Sequence, residues 1–278
     1  LWQTAEEGDD GEALRYLTPT LLRAIENLSA ELPAIGAADL EEVAGLLLDL
    51  CTALQDVMPG APAAPPALQS ALRVLDKGRH RRLWAKAQQR LGSALSAGEN
   101  GVEEGDASLE AFRQAADALV RDEEPLEWAL AQSLVGDALL IREGGDPLAD
   151  AAAAVDAYRA ALEFLDESEH REEWAVTQAS LGIALSAGEA GDSLDQALAA
   201  FRAAEGALSA EDQPAWSEVL GDLGTTYRLL EPTEEHLRAA ADAYRRGAEG
   251  DLREIAPASW ASLKSQQGTA LEELAELA

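Results

Sequence analysis

Tryptophan recurs at positions 84, 128, 174, 216 and 260, at intervals of 44, 46, 42 and 44 residues, and glycine stands eight residues after each, at Gly92, Gly136, Gly182, Gly224 and Gly268. A spacing held over that much chain means that one structural unit is repeated, so each unit packs on its neighbours and not on one common centre. Seven after the tryptophans come Leu91, Val135, Leu181, Leu223 and Gln267, and eleven after them Leu95, Leu139, Leu185, Tyr227 and Leu271. Offsets 0, 7, 8 and 11 share one face of a helix, which predicts a stripe packed against a partner helix. The copy from Trp174 to Glu189 shows it most clearly. Glycine inside a helix costs about 1 kcal/mol relative to alanine. Its recurrence therefore asks for a packing reason, and close backbone approach of a second helix supplies one.

That second helix repeats as well. Ala111-Phe-Arg113, Ala157-Tyr-Arg159, Ala200-Phe-Arg202 and Ala243-Tyr-Arg245 share an Ala-aromatic-Arg core, followed by Ala115, Ala161, Ala204 or Gly247 three residues after the ring. Small residues one turn from a large one let two helices interlock. Pro125, Pro214 and Pro257 stand two or three residues before a tryptophan, where a helix begins. Each unit thus reads as helix A, loop, helix B and short loop. A composition rich in Ala, Leu, Glu and Arg, with 5% aromatics, favours helix nearly everywhere, so the chain reads as all-α.

Residues 1–66 do not carry the repeat clearly and read as a helical N-terminal segment or cap. Leu14, Leu17, Leu21, Leu22, Ile25 and Leu28 predict an amphipathic helix over 11–32, interrupted by Pro19 and ended by Pro33. A second helix is expected over 38–57, opening with Asp39 and Glu41-Glu42, where carboxylates favour the positive helix end. Pro59 to Pro66 is the most proline-dense stretch and the best candidate linker. A short helix over 67–77 then leads into the basic cluster Lys77 to Arg82. That cluster reads as an anchor for an acidic partner or, more simply, as neutralisation of the acidic chain beside it. The repeat array is placed at 67–278. Its last unit has no helix B, and a polar helix A bearing Lys264, Gln266, Gln267, Glu272 and Glu273 is expected to cap it.

Leu181-Gly182, Leu185, Ala197, Phe201 and Ala204, with their equivalents in the other units, stand in the order Leu-Gly, Leu or aromatic, Ala, aromatic, Ala. This pattern resembles the tetratricopeptide repeat (TPR) over roughly residues 81–278, with a period near 44 in place of the usual 34. The resemblance implies a right-handed α-solenoid of antiparallel helix pairs, a TPR-like superhelix whose helices A line a concave groove.

The charge of −31 argues against nucleic-acid binding, since affinity for phosphate backbones comes from Lys and Arg. It favours basic partners and keeps an extended array in solution. No membrane span or signal peptide is visible, so the location expected by default is cytoplasmic. Cys51, the one cysteine, lies in an apolar run and reads as a small buried hydrophobe. The acidic Gly-containing segments Glu6 to Glu12, Glu104 to Asp106, Glu143 to Asp146 and Glu189 to Asp192 lack the alternating ligands of a calcium loop. Asp146, Asp192 and Thr233 are expected to cap helices instead. His80, His170 and His236 have no second ligand at metal spacing, and no nucleophile with its base can be proposed. No catalytic, cofactor or metal site is therefore expected. Gln88, Gln132 and Gln178, four after the tryptophans, are expected to fix repeat stacking, with contact to a ligand backbone as the other reading.

Charge is missing from Trp174 to Ala187, and Trp128 to Ile141 carries only Asp137. If helices A line a groove as in TPRs, offsets 5, 9 and 12 face it. The expected partner-binding residues are then Gln89, Ser93, Ser96, Ser133, Asp137, Leu140, Ala179, Ile183, Ser186, Thr225 and Arg228, with Gly221 among them. The expected function is a scaffold holding a peptide, helix or partner domain, with self-association open. The alternative is a regulatory or sensory region that controls a neighbouring domain of a larger signalling protein or enzyme.

Overall fold

The computed structural model describes residues 9–277, leaving aside 38, 59, 99–101 and 189–190, and among them there are helices and turns and no strand. The helices are α1 (Asp9–Glu31), α2 (Leu40–Val57), α3 (Ala64–Val74), α4 (Arg81–Ser96), α5 (Val102–Ala118), α6 (Pro125–Ile141), α7 (Pro147–Leu162), α8 (Arg171–Ser186), α9 (Gly191–Ala207), α10 (Ala215–Leu229), α11 (Glu234–Gly247), the single turn α12 (Leu252–Ile255) and α13 (Pro257–Leu277). Helices A are α4, α6, α8, α10 and α13. The chain forms two compact units, Leu1–Gly144 and Gly145–Ala278. Within each, consecutive helices joined by short loops pack as antiparallel neighbours: α4 on α5 and α5 on α6 in the first, α8 on α9, α9 on α10 and α10 on α11 in the second. This is an all-α repeat of solenoid type.

The recurring glycine has the expected packing role. A Cβ at Gly92, Gly182 or Gly224 would sit 2.7 Å from the ring of Phe112, Phe201 or Tyr244 respectively. Each ring comes from helix B of the same unit, and only a hydrogen at the glycine lets the helices close to that distance. Offsets 1, 3, 7, 8 and 10 are buried from α4 through α10, mostly as Ala, Leu, Val and Gly. The tryptophans lie at the edge of this stripe, half-buried apart from buried Trp216. A cation covers their outer faces: Lys77 at 4.9 Å from the Trp84 centroid, Arg121 at 5.1 Å from Trp128 and Arg253 at 5.0 Å from Trp260. All three stand seven residues before their tryptophan.

The residue four before each of the first four tryptophans closes the preceding turn. Nδ1 of His80 accepts the Asp76 N–H (3.1 Å), Nδ1 of His170 the Asp166 N–H (3.4 Å), a Glu124 carboxylate oxygen the Val120 N–H (3.1 Å) and the Asp212 carboxylate the Ser209 N–H (2.8 Å). Within each unit an arginine at the start of one helix A reaches the acidic member of this set in the next repeat. Arg81 Nε lies 3.1 Å from Glu124, and Arg171 bonds both oxygens of Asp212 at 3.1 and 3.2 Å. Glu124 is buried. Burial pushes its carboxyl up, but the Val120 N–H and the guanidiniums of Arg82 and Arg81 outweigh that and hold it below the usual range. The basic cluster 77–82 is thus taken up by neighbouring chain, with Lys77 on Trp84 and Arg81 and Arg82 on Glu124.

Three boundaries differ from the sequence reading. The Pro-rich segment does not stand free: α3 begins inside it at Ala64, with proline in its first turn, and Ala61 and Ala64 share one core with Leu47, Leu54, Leu68 and Leu91. Gly60 (φ +75°) lies so close to α4 that a Cβ would meet the Ala97 carbonyl oxygen at 2.5 Å. The N-terminal helices share the first compact unit with the first repeats, and the two units divide after Gly144. Glu104-Gly-Asp106 is helical, because α5 already begins at Val102, and Asp106 pairs with Arg142 at 3.3 Å. Asp192 lies inside the first turn of α9, whereas Asp146 and Thr233 do cap α7 and α11. Pro59, Glu189 and the start of the Glu6 to Glu12 run lie outside the described residues, as do the side chains of Leu14 and Leu17. Cys51 is buried, and burial pushes its thiol up to about 11, which keeps it unreactive.

Gly268 gives the internal control for the glycine contact, since a Cβ there meets nothing within 4 Å. Gly182→Ala should lower stability by about 2 kcal/mol through overpacking against Phe201. Gly268→Ala should raise it by roughly 0.5–1 kcal/mol through helix propensity alone. Urea unfolding of the two variants checks this, and equal effects at both sites would remove the ring contact as the reason for the repeat.

Candidate partner-binding face

The expected groove residues lie where the buried stripe leaves helix A open, and each is half-buried or exposed. Their hydroxyls donate to their own helix: Ser93 to the Gln89 carbonyl (3.1 Å), Ser96 to Gly92 (2.8 Å), Ser133 to Ala129 (3.3 Å), Ser186 to Gly182 (2.9 Å) and Thr225 to Gly221 (2.9 Å). A hydroxyl has one proton and two lone pairs, and several of these also meet neighbouring hydroxyls: Ser96 accepts from Ser108 at 3.3 Å, Ser186 lies 3.3 Å from the Thr226 hydroxyl and Thr225 3.1 Å from that of Tyr244. Arg228 is held by Glu273 of α13 through Nε at 3.1 Å, and so ties α10 to α13. Gln88, read as a stacking residue, donates to Gln114 of α5 at 2.8 Å.

In the first unit a cleft of about 360 Å³ lies among α4, α5 and α6, lined by Ser96, Glu104, Ser108 and Ile141 among others. Gln89, Ser93, Ser133, Asp137 and Leu140 do not line it. In the second unit α8 exposes apolar side chains, with Val176 49% and Ile183 45% exposed and Ala179 between them. Seven residues separate Val176 from Ile183, which puts them on one face.

A second cleft in this unit, about 330 Å³, lies between α10 and α13 and brings together Gly221 and Thr225 with Ser217, Glu218, Asp222, Ser259, Ser262, Leu263 and Gln266. Only Gly221 and Thr225 belong to the sequence-predicted set. Glu218 and Asp222 stand at offsets 2 and 6, where the other repeats carry Lys86 and Arg90, Leu130 and Leu134, Val176 and Ser180, and Ser262 and Gln266. This pair of positions, accessible in every repeat and different in each, is the signal that the shared pattern hides. Burial pushes the Asp222 carboxyl up to about 6, and the charge of Glu218 adds to the shift. Among the described residues no group of three or more His, Cys, Asp or Glu is arranged to hold a metal, and no helix is long and apolar enough to cross a membrane.

Asp222 gives a pH signature of definite sign. Its ordinary value is 3.8 and its folded value about 6, so across that window the native protein holds a proton that the unfolded chain releases. Stability from this group is therefore present near pH 4 and lost as pH rises through 6. Glu124, Asp212 and Glu273 are shifted down and pull the other way, so the difference between wild type and Asp222→Asn isolates the effect. The variant should gain about 1–2 kcal/mol at pH 7.5, allowing for partial solvation, and match wild type near pH 4. Urea midpoints across that range check it, and a variant less stable at pH 7.5 would show the carboxylate to be favourably bonded.

Neither a family model nor a curated protein matches the chain. Among solved structures, a chain described under "Computational Design of Self-Assembling Cyclic Protein Homooligomers" is similar at 14% identity over 95% of this chain and 97% of that one, with a TM-score of 0.19.

Proposed function

We propose that the protein is an interaction scaffold that holds a peptide or helix of a partner protein against its helices A, in the manner of a TPR. The supporting observation is the open face of α8, where Val176 and Ile183 are exposed on a helix with no charged residue from Trp174 to Ala187, inside a chain of net charge −31. An uncharged patch in an acidic surround favours an apolar segment flanked by basic residues: the apolar side chains supply the burial and the flanks supply steering. Control of a neighbouring domain would use the same face, with the partner segment on the same polypeptide.

Val176→Arg and Ile183→Arg leave the buried stripe untouched, so helicity should not change. A partner captured by the wild-type protein should bind each variant at least about tenfold more weakly, as for loss of a central apolar anchor, and wild-type affinity should fall with added salt. Titration calorimetry at two ionic strengths reads both effects. A partner bound equally by wild type and both variants would place recognition elsewhere.

A further inference from the structure

The α10–α13 cleft is lined largely by polar groups, and two of them lack a hydrogen-bond partner. Ser217 is 1% exposed and lines the cleft, yet its Oγ has no partner, and Oε1 of Gln266 is likewise buried and unmet. Interior polar groups are almost always satisfied, so an unmet hydroxyl and an unmet amide oxygen beside an open cleft point to a missing partner, and the amide oxygen can take only a donor. Glu218 and Asp222 stand one helical turn apart on α10, so both carboxylates lie on the same side. Thr225 gives its proton to the Gly221 carbonyl and meets the Tyr244 hydroxyl at 3.1 Å, which leaves at most one lone pair for the cleft. No lysine, arginine or histidine is among the lining residues.

We propose that this cleft binds an organic cation, an alkylammonium or guanidinium group, carried by a free amine or by a lysine or arginine side chain of a partner. Such a group brings several N–H donors to a pair of carboxylates and two unmet oxygens, the arrangement that makes charge-assisted hydrogen bonds strong. The volume of about 330 Å³ is at the lower end for small-ligand sites. A hard metal ion fits poorly, since it takes six or more oxygens, commonly with several carboxylates, and the cleft offers two acids. An anion would meet acceptors only. The net charge of −31 raises the local concentration of any cation. The raised Asp222 carboxyl agrees with a charge kept in a half-dry site against the interest of the fold.

The test is a titration of the full-length protein at pH 7.5 with agmatine, which carries both cationic groups, read from the backbone amide shifts of Gly221 and Thr225. A capped pentapeptide with one central arginine forms the second arm, and butylurea the neutral control. Saturation below about 1 mM is expected for at least one cationic probe, with no change on adding butylurea. Agmatine alone saturating assigns the site to a free amine, and tighter binding of the peptide assigns it to a side chain. Affinity should fall at least about tenfold in Glu218→Gln, whose exposed side chain is dispensable for folding, and further in Asp222→Asn. The proposal is overturned if neither cation saturates, if butylurea acts alike, if Glu218→Gln binds unchanged, or if calcium alone produces the saturable shifts. None of these readouts requires a protein partner. A partner lost on Ile183→Arg but unaffected by Glu218→Gln would leave the scaffold standing whatever the cation titrations show.

Discussion

The contact between a helix A glycine and a helix B ring sets the distance at which the two helices cross, and most of the remaining pattern follows from that distance. With Gly182 against Phe201 and Gly224 against Tyr244, the backbones are close, and the flanking buried positions are mostly small or medium side chains: Ala175, Thr177 and Ala184 on α8, and Ser217, Val219 and Thr226 on α10. Bulk is displaced to the rim. The tryptophans are therefore half-buried, and each of Trp84, Trp128 and Trp260 is closed off by a cation from the preceding turn. A core of small residues buries less apolar area per side chain than one of leucines, so stability has to come from many close contacts repeated along the chain.

A chain of this charge also has to place its few cations well. Arg81, Arg171 and Arg228 each join one repeat to the next through a carboxylate, and Glu124 is buried in doing so. The clasp from Arg81 to Glu124 and that from Arg171 to Asp212 recur 90 residues apart at the arginine, alongside the paired sequences Ser96-Ala-Gly98 and Ser186-Ala-Gly188. The repeating block is thus two helix pairs long, twice the period that the tryptophans alone suggest.

Helices and their partners were legible in the sequence because periodicity and phase depend on backbone geometry alone. The glycine's role followed from its propensity cost, and the ring it meets was already among the repeated residues. Boundaries fared less well. Prolines 65 and 66 read as linker signals, yet proline is equally at home in a first helical turn, and only the burial of Ala61 and Ala64 decides between the two. The face that leaves helices A open was found by analogy at offsets 5, 9 and 12. Glu218 and Asp222 were passed over because carboxylates four apart are common on this chain, and what separates this pair is desolvation beside Ser217 and Gln266, which no spacing encodes.

Offsets 2 and 6 carry a cationic, an apolar, a mixed, an acidic and an amide-bearing pair in successive repeats, while the residues that set the stacking hardly change. Surface chemistry and architecture are therefore written at different positions of the same helix. Substitution in one repeat can change what that segment exposes without disturbing its neighbours, so the exposed chemistry of such an array can diverge piecemeal, one repeat at a time, on a frame that stays constant.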